Sequence, residues 1–88
     1  MQLESTPIFD KDVKKLDNHE RKELRDLLDK ISERPEMGKP MEHYANVFSK
    51  RTKHRRLIWQ VRKQERKIIL LMYKNRDEVY EALRSLNL

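Results

Sequence analysis

Eighty-eight residues leave room for one small domain with a modest core, and exclude a nucleotide-binding domain joined to a second lobe. The chain has no cysteine, which excludes disulfides and thiolate metal sites; no apolar run approaches the ~20 residues of a membrane helix and no basic-then-apolar leader opens it, so residues 1–88 are expected to form a single soluble, cytoplasmic domain. The net charge of +6 is segregated, with eight basic and ten acidic residues from Met1 to Glu36 against thirteen basic and five acidic from Met37 to Leu88, a division that uniform solubilising charge does not produce.

Gln2 to Ser5 reads as an edge strand with Leu3 facing inward. Thr6-Pro7 marks a helix start, because proline suits the first helical position, where its missing donor is harmless; Phe9, Val13 and Leu16 then recur on one face. A second helix begins at Asp17, with Glu20 completing a capping box. Leu24, Leu27, Leu28 and Ile31 form its apolar stripe, and Pro35 stops it. The two helices are expected to pack as a hairpin behind a sheet. Glu36 to Pro40 is a connector holding the only glycine, Gly38. From Tyr44 the period becomes that of strands: Tyr44–Lys50, Arg55–Arg62 and Lys67–Tyr73, with Lys63 to Arg66 as a turn. Leu57, Trp59 and Val61 point one way, and Arg56, Ile58, Gln60 and Arg62 the other. The run KIILLMY is apolar on both faces, the mark of a central, doubly covered strand. Arg76 or Asp77 opens a last helix with Val79, Leu83 and Leu86 on one face. The expected order is β-α-α-β-β-β-α, an α+β domain whose antiparallel sheet is backed by helices grouped on one side.

The chemistry concentrates in FSKRTKHRRLIWQVR, Phe48 to Arg62, with five Lys or Arg between Lys50 and Arg56. A basic turn between two antiparallel strands holds this charge on a rigid sheet. A second basic signal, Lys74 to Tyr80, follows the apolar strand, and neighbouring strands can bring it beside the first. Fixed cations point to a polyanion, with RNA the first candidate. Self-cleavage of RNA needs a base for the 2′-hydroxyl, charge stabilisation at phosphorus and an acid for the departing oxygen. Arginine cannot be the base but is the best fixed phosphate clamp, a role that suits Arg56 and Arg76. Lys50 has Arg51 beside it and Arg55 or Arg56 within reach, like charges that favour a neutral amine. Tyr80 is placed to stack on a base, and His54 is a further acid or base. Lys53, Arg55, Arg62 and Lys74 complete the RNA-binding candidates, although Lys53 and Arg55 also suit a solvated turn. His19, His43 and His54 lack ligand spacing, so neither metal nor cofactor is expected.

In order and spacing, the GKP connector, the basic strand, Arg56-Leu57-Ile58-Trp59-Gln60-Val61, the apolar strand and Arg76-Asp77-Glu78-Val79-Tyr80 resemble RelE/ParE-superfamily toxins over nearly the whole chain. These are the toxin halves of bacterial and archaeal type II toxin–antitoxin systems. The resemblance implies a RelE-like fold, a cognate antitoxin, and metal-free cleavage of mRNA in the ribosomal A site. It assigns catalytic roles to Lys50, Arg51, Arg56, Arg76 and Tyr80, with Lys74 as a substitute for Arg76. Where one branch has a glutamate after the connector proline, this chain has Met41, with Glu42 one residue later. Two other readings are a ParE-like toxin that binds a topoisomerase without nuclease activity, and a catalytically inactive RNA-binding relative.

Overall fold

The computed structural model describes residues 1–86. Its helices begin where the sequence places their caps. The Thr6 hydroxyl accepts the Phe9 N–H at 3.1 Å ahead of α1 (Pro7–Lys14), which has proline in its first turn. Asp17 and Glu20 form a complete capping box for α2 (Asn18–Glu33). Asn75 accepts the Glu78 N–H at 3.0 Å to open α3 (Arg76–Ser85). Each cap satisfies an amide that has no intrahelical partner.

The strands are β1 (Gln2–Ser5), β2 (Lys39–Pro40), β3 (Val47–Arg51), β4 (Arg56–Arg62) and β5 (Lys67–Lys74), in one sheet of order β1-β5-β4-β3-β2. The α+β class and the central position of the apolar strand agree with expectation, but four details differ. The sheet is mixed, because β1 pairs parallel to β5 while the other pairings are antiparallel. Leu3, in register with Ile68 and so on the α1–α2 side, is nonetheless 36% exposed, since it stands on the outermost strand. The expected Tyr44–Lys50 strand begins only at Val47, and the connector supplies the two-residue β2. Finally, the helices cover both faces. α1 and α2 pack against Phe48, Leu57, Trp59, Val61, Ile68, Leu70 and Tyr73, whereas Val79 and Leu83 of α3 join Val47, Ile58, Leu71 and Met72 on the other face.

A bulge reconciles these two faces. Ile58 pairs with Met72 but Trp59 pairs with Leu70, so Leu71 has no opposite number. Leu71 and the following Met72 therefore both face α3, and Tyr73 returns to the side of α1 and α2. Trp59 is fully buried, stacks on Phe48 and donates its indole N–H to the Pro35 carbonyl at 2.7 Å. A Cβ at Gly38 would meet Trp59 Cη2 and lie 2.7 Å from the Ser49 carbonyl oxygen, so the connector needs glycine to pass this ring.

Where β1 ends, α1 takes over the open edge of β5. The Thr6 hydroxyl donates to the Leu71 carbonyl at 2.8 Å. The Asp12 carboxylate, 1% exposed, accepts the Tyr73 N–H at 2.9 Å and the Lys74 ammonium at 2.7 Å. A helical side chain thus occupies the place of a missing strand partner.

Candidate functional site

On the α3 face the sheet floor and the helix bound a groove of about 850 Å³. Lys39, Ser49 and Arg56 form its floor, the Met41–Tyr44 loop one lip, and Tyr80, Leu83 and Arg84 the other. The loop lip is pinned at several points. Met41 N–H donates to the Val47 carbonyl at 2.8 Å, the Tyr44 hydroxyl to the Leu83 carbonyl at 3.2 Å, and Val61 N–H to the Asn46 carbonyl at 2.8 Å. Asn46 itself takes the left-handed conformation (φ 59°) that asparagine tolerates better than most residues.

Arg56 is the most distinctive group of the floor. Its Nη1 donates to the Ser49 hydroxyl at 2.9 Å, while its Nε is buried and meets no hydrogen-bond partner among the described residues. A buried donor left unpaired costs about 1–3 kcal/mol, a cost carried at a residue that also lines the groove. Arg56 pairs across the strands with Arg51 on one side and Lys74 on the other, which brings the two basic signals side by side as expected.

Their surroundings then separate these cations. Lys74 is held by buried Asp12, with side-chain exposures of 17% and 2%. Arg51 is exposed at the end of β3, on the groove side by strand alternation. Lys50 pairs with Leu57, whose side chain lies in the α1–α2 core, and so faces away from Arg56. Of the two arginines expected within reach of Lys50, Arg56 therefore lies across the sheet, on the groove face. Arg55 also turns to the opposite face, where it donates to Glu20 at 3.0 Å and lies over the Tyr73 ring. Lys53 N–H donates to Glu23 at 3.3 Å, so the hairpin tip, His54 included, leans towards α2. Arg62 shares the face of Arg56 but sits six residues along β4, about 20 Å away, paired with Glu65 at 3.5 Å.

Tyr80 is 49% exposed and lines the groove opposite the sheet. Arg76 and Arg84 stand one turn to either side of it, at i−4 and i+4 on the same helical face; Arg84 lines the groove and its Nε donates to the Tyr80 carbonyl at 3.4 Å. Of the five expected catalytic residues, the groove lining contains Arg56 and Tyr80. It adds Lys39, Glu42, His43, Ser49 and Arg84, none of which belonged to the expected set. The Arg76–Tyr80–Arg84 spacing was a signal for Arg84. Nothing local marks Lys39, whose place comes from pairing with Ser49. Among the described residues no three His, Asp or Glu side chains converge as a metal site would require.

Burial pushes the Tyr73 phenol above its ordinary value of 10.0, against the opposing pull of its hydrogen bond with Thr52 and the charge of Arg55. Its hydroxyl lies 2.7 Å from Thr52 Oγ1, which itself donates to the Arg55 carbonyl. This chain ties the basic turn to the core.

No family model and no curated sequence matches the chain; its likeness to known proteins is one of fold. The isolated RelE toxin of E. coli superposes with a TM-score of 0.78 at 21% identity, covering 94% of this chain and 95% of that one. RelE in the RelB–RelE antitoxin–toxin complex of Methanococcus jannaschii gives 0.72 at 19%, covering 90% and 96%. A RelBE toxin–antitoxin complex of Mycobacterium tuberculosis gives 0.69 at 22%, covering 85% and 96%. The chain has the RelE fold, with its five-stranded mixed sheet and three helices. No helix among the described residues is long and apolar enough to cross a membrane.

Proposed function

We propose that the groove is the RNA site of an endoribonuclease, and that this chain is the toxin of a type II toxin–antitoxin pair which cleaves mRNA on the ribosome. The observation that carries the reading is Arg56, a half-buried guanidinium with no carboxylate partner among the described residues, facing an exposed tyrosine across a cation-lined groove. The RelE fold supports it.

In this scheme Arg56 grips the scissile phosphate and stabilises the charge that builds on its oxygens. Tyr80 stacks on a neighbouring base. The 2′-oxygen bonds to phosphorus as the bond from phosphorus to the 5′-oxygen breaks. One proton leaves the 2′-hydroxyl and one reaches the departing 5′-oxygen. Glu42 and His43 carry the side-chain types best suited to these transfers, and they replace Lys50 and His54 as candidates because they line the groove. The scheme draws its charge stabilisation from side chains. The ribosome aligns the 2′-hydroxyl with its phosphate, and alignment alone contributes roughly 7–11 kcal/mol in favourable cases.

Product ends from programmed ribosomes test the reaction. The expected products are a 2′,3′-cyclic phosphate or 3′-phosphate and a 5′-hydroxyl; 5′-phosphate ends would sink the mechanism, and equally fast cutting of free RNA would remove the ribosome's role. Induced expression should arrest translation without a DNA-damage response, whereas the reverse would favour a topoisomerase target. The partner under this reading is an antitoxin encoded by an adjacent gene, and co-expression should restore growth and yield a co-purifying complex.

A further inference from the structure

Arg56 is the first residue of β4 and stands in register with Arg51, another cation on the same face of the sheet. A long side chain in that place is free to swing off the strand end into solvent, away from its like-charged neighbour. What holds it is Ser49, the preceding residue of β3 on that face. The Ser49 hydroxyl accepts from Arg56 Nη1 at 2.9 Å, the one hydrogen bond of this guanidinium among the described residues, since its Nε is enclosed and has no partner. The bond draws the charged end inward along the sheet, towards the groove that both residues line.

Ser49 is itself built in. It is 1% exposed and, with Asp12, one of two buried polar or charged residues among those described. Its backbone lies between Lys39 of β2 and Ile58 of β4, and Gly38 passes close to its carbonyl oxygen, so the hydroxyl has little room to shift. Asp12 likewise holds a cation, Lys74, but does so with a carboxylate, as Glu20 holds Arg55. Ser49 differs in kind. A hydroxyl accepts a hydrogen bond and brings no counter-charge.

We propose that Ser49 is the positioning residue for Arg56: its neutral hydroxyl fixes the direction of the guanidinium and leaves the whole positive charge for the scissile phosphate. This rests on the endoribonuclease reading of the groove and adds to it the residue that preorganises the charge. Arg56 meets the substrate, and Ser49 acts through Arg56.

Cleavage on programmed ribosomes and NMR of the free, full-length protein test this together. Ser49→Ala should lower kcat about tenfold, as loss of a hydrogen bond to a charged group does. KM should stay within twofold, because the charge that attracts the message remains. Ser49→Thr, which keeps the hydroxyl, should recover most of the rate, and Ser49→Val, of the same shape without it, should not; comparing these two cancels the cost of added bulk. In the NMR arm, exchange of the two Nη groups of Arg56 by rotation about the Nε–Cζ bond should be about tenfold faster in Ser49→Ala than in the unmodified protein. Ser49→Asp should slow that rotation and still cleave more poorly than Ser49→Ala, since a carboxylate orients the guanidinium but cancels its charge. Equal rates from the threonine and valine variants, or unchanged rotation in Ser49→Ala, overturn the positioning role. A Ser49→Asp variant as active as the unmodified protein overturns the need for a neutral partner. If the unmodified protein leaves mRNA intact on ribosomes, the nuclease reading falls, and the NMR arm, which needs no substrate, still decides whether Ser49 orients Arg56.

Discussion

Arg55 and Arg56 are adjacent, yet they belong to opposite faces of the sheet and to different kinds of chemistry. On the α1–α2 face, Arg55 has Glu20 at 3.0 Å and an aromatic ring beneath it, and its charge is consumed in joining a helix to the basic turn. On the α3 face, Arg56 has one neutral hydroxyl, a donor without an acceptor, and an open groove ahead. Both are partly buried. What separates them is whether the protein itself supplies the counter-charge. A cation paired inside the fold measures stability, and a cation left incomplete measures affinity for something else. Lys74 sits on the dividing line, since its backbone pairs with Arg56 while its ammonium belongs to Asp12.

Substitutions that dissociate stability from function test this division. The largest loss of stability is expected from Asp12→Ala, which strands the Lys74 ammonium and the Tyr73 N–H together. Removing one side of a buried pair costs about 3–5 kcal/mol, read as a fall in the midpoint of urea unfolding. Adding Lys74→Met should recover part of that loss, and strict additivity of the two changes would show that they do not interact. Next comes Arg56→Ala, with cleavage on ribosomes reduced about 100- to 1,000-fold and the unfolding midpoint little changed. Full toxicity of this variant at equal expression would remove Arg56 from the site.

Arg55→Ala should do the reverse, lowering stability by roughly 1–2 kcal/mol while cleavage persists, because both members of its ion pair keep about a fifth of their exposure. A variant that stays stable but loses cleavage would erase the contrast between the faces. The smallest effect is that of Tyr73→Phe, about 1 kcal/mol for the missing hydrogen bond with Thr52, together with a change in the alkaline limb. Burial favours the neutral phenol in the folded protein, so above pH 10 the unfolded chain releases its proton first. The contribution of Tyr73 is therefore intact below that pH and is lost as pH rises through its raised folded value. Unfolding followed from pH 9 to 11.5 should show a shallower decline in the phenylalanine variant.

Much of the fold was legible because its signals are local. Thr6-Pro7 and the Asp17–Glu20 box announce two helix starts within four residues each, and the alternation of Leu57, Trp59 and Val61 identifies a strand face directly. What escaped was set by register. β2 is two residues long, contains proline, and exists through pairing with Ser49 and Phe48. The parallel docking of β1 and the bulge at Leu71 have no local mark. The site divided in the same way. Arg56 and Tyr80, legible by residue type and setting, line the groove, Lys39 reaches it through strand pairing, and a glutamate 35 residues away draws Arg55 to the other face.

The docking of β1 also sets an order of events. The Thr6 hydroxyl meets the Leu71 carbonyl across 65 residues, so the first strand has no neighbour until β5 exists. Contacts this distant in sequence come late, because closing so long a segment costs entropy before any bond repays it. The β4–β5 hairpin closes over a short turn and brings Tyr73 to the clasp of Asp12, whereas the lip carrying Tyr80 waits for α3. During synthesis the groove floor on β3 and β4 emerges before the helix that faces it. The nascent chain thus lacks a finished groove while α3 is still unmade.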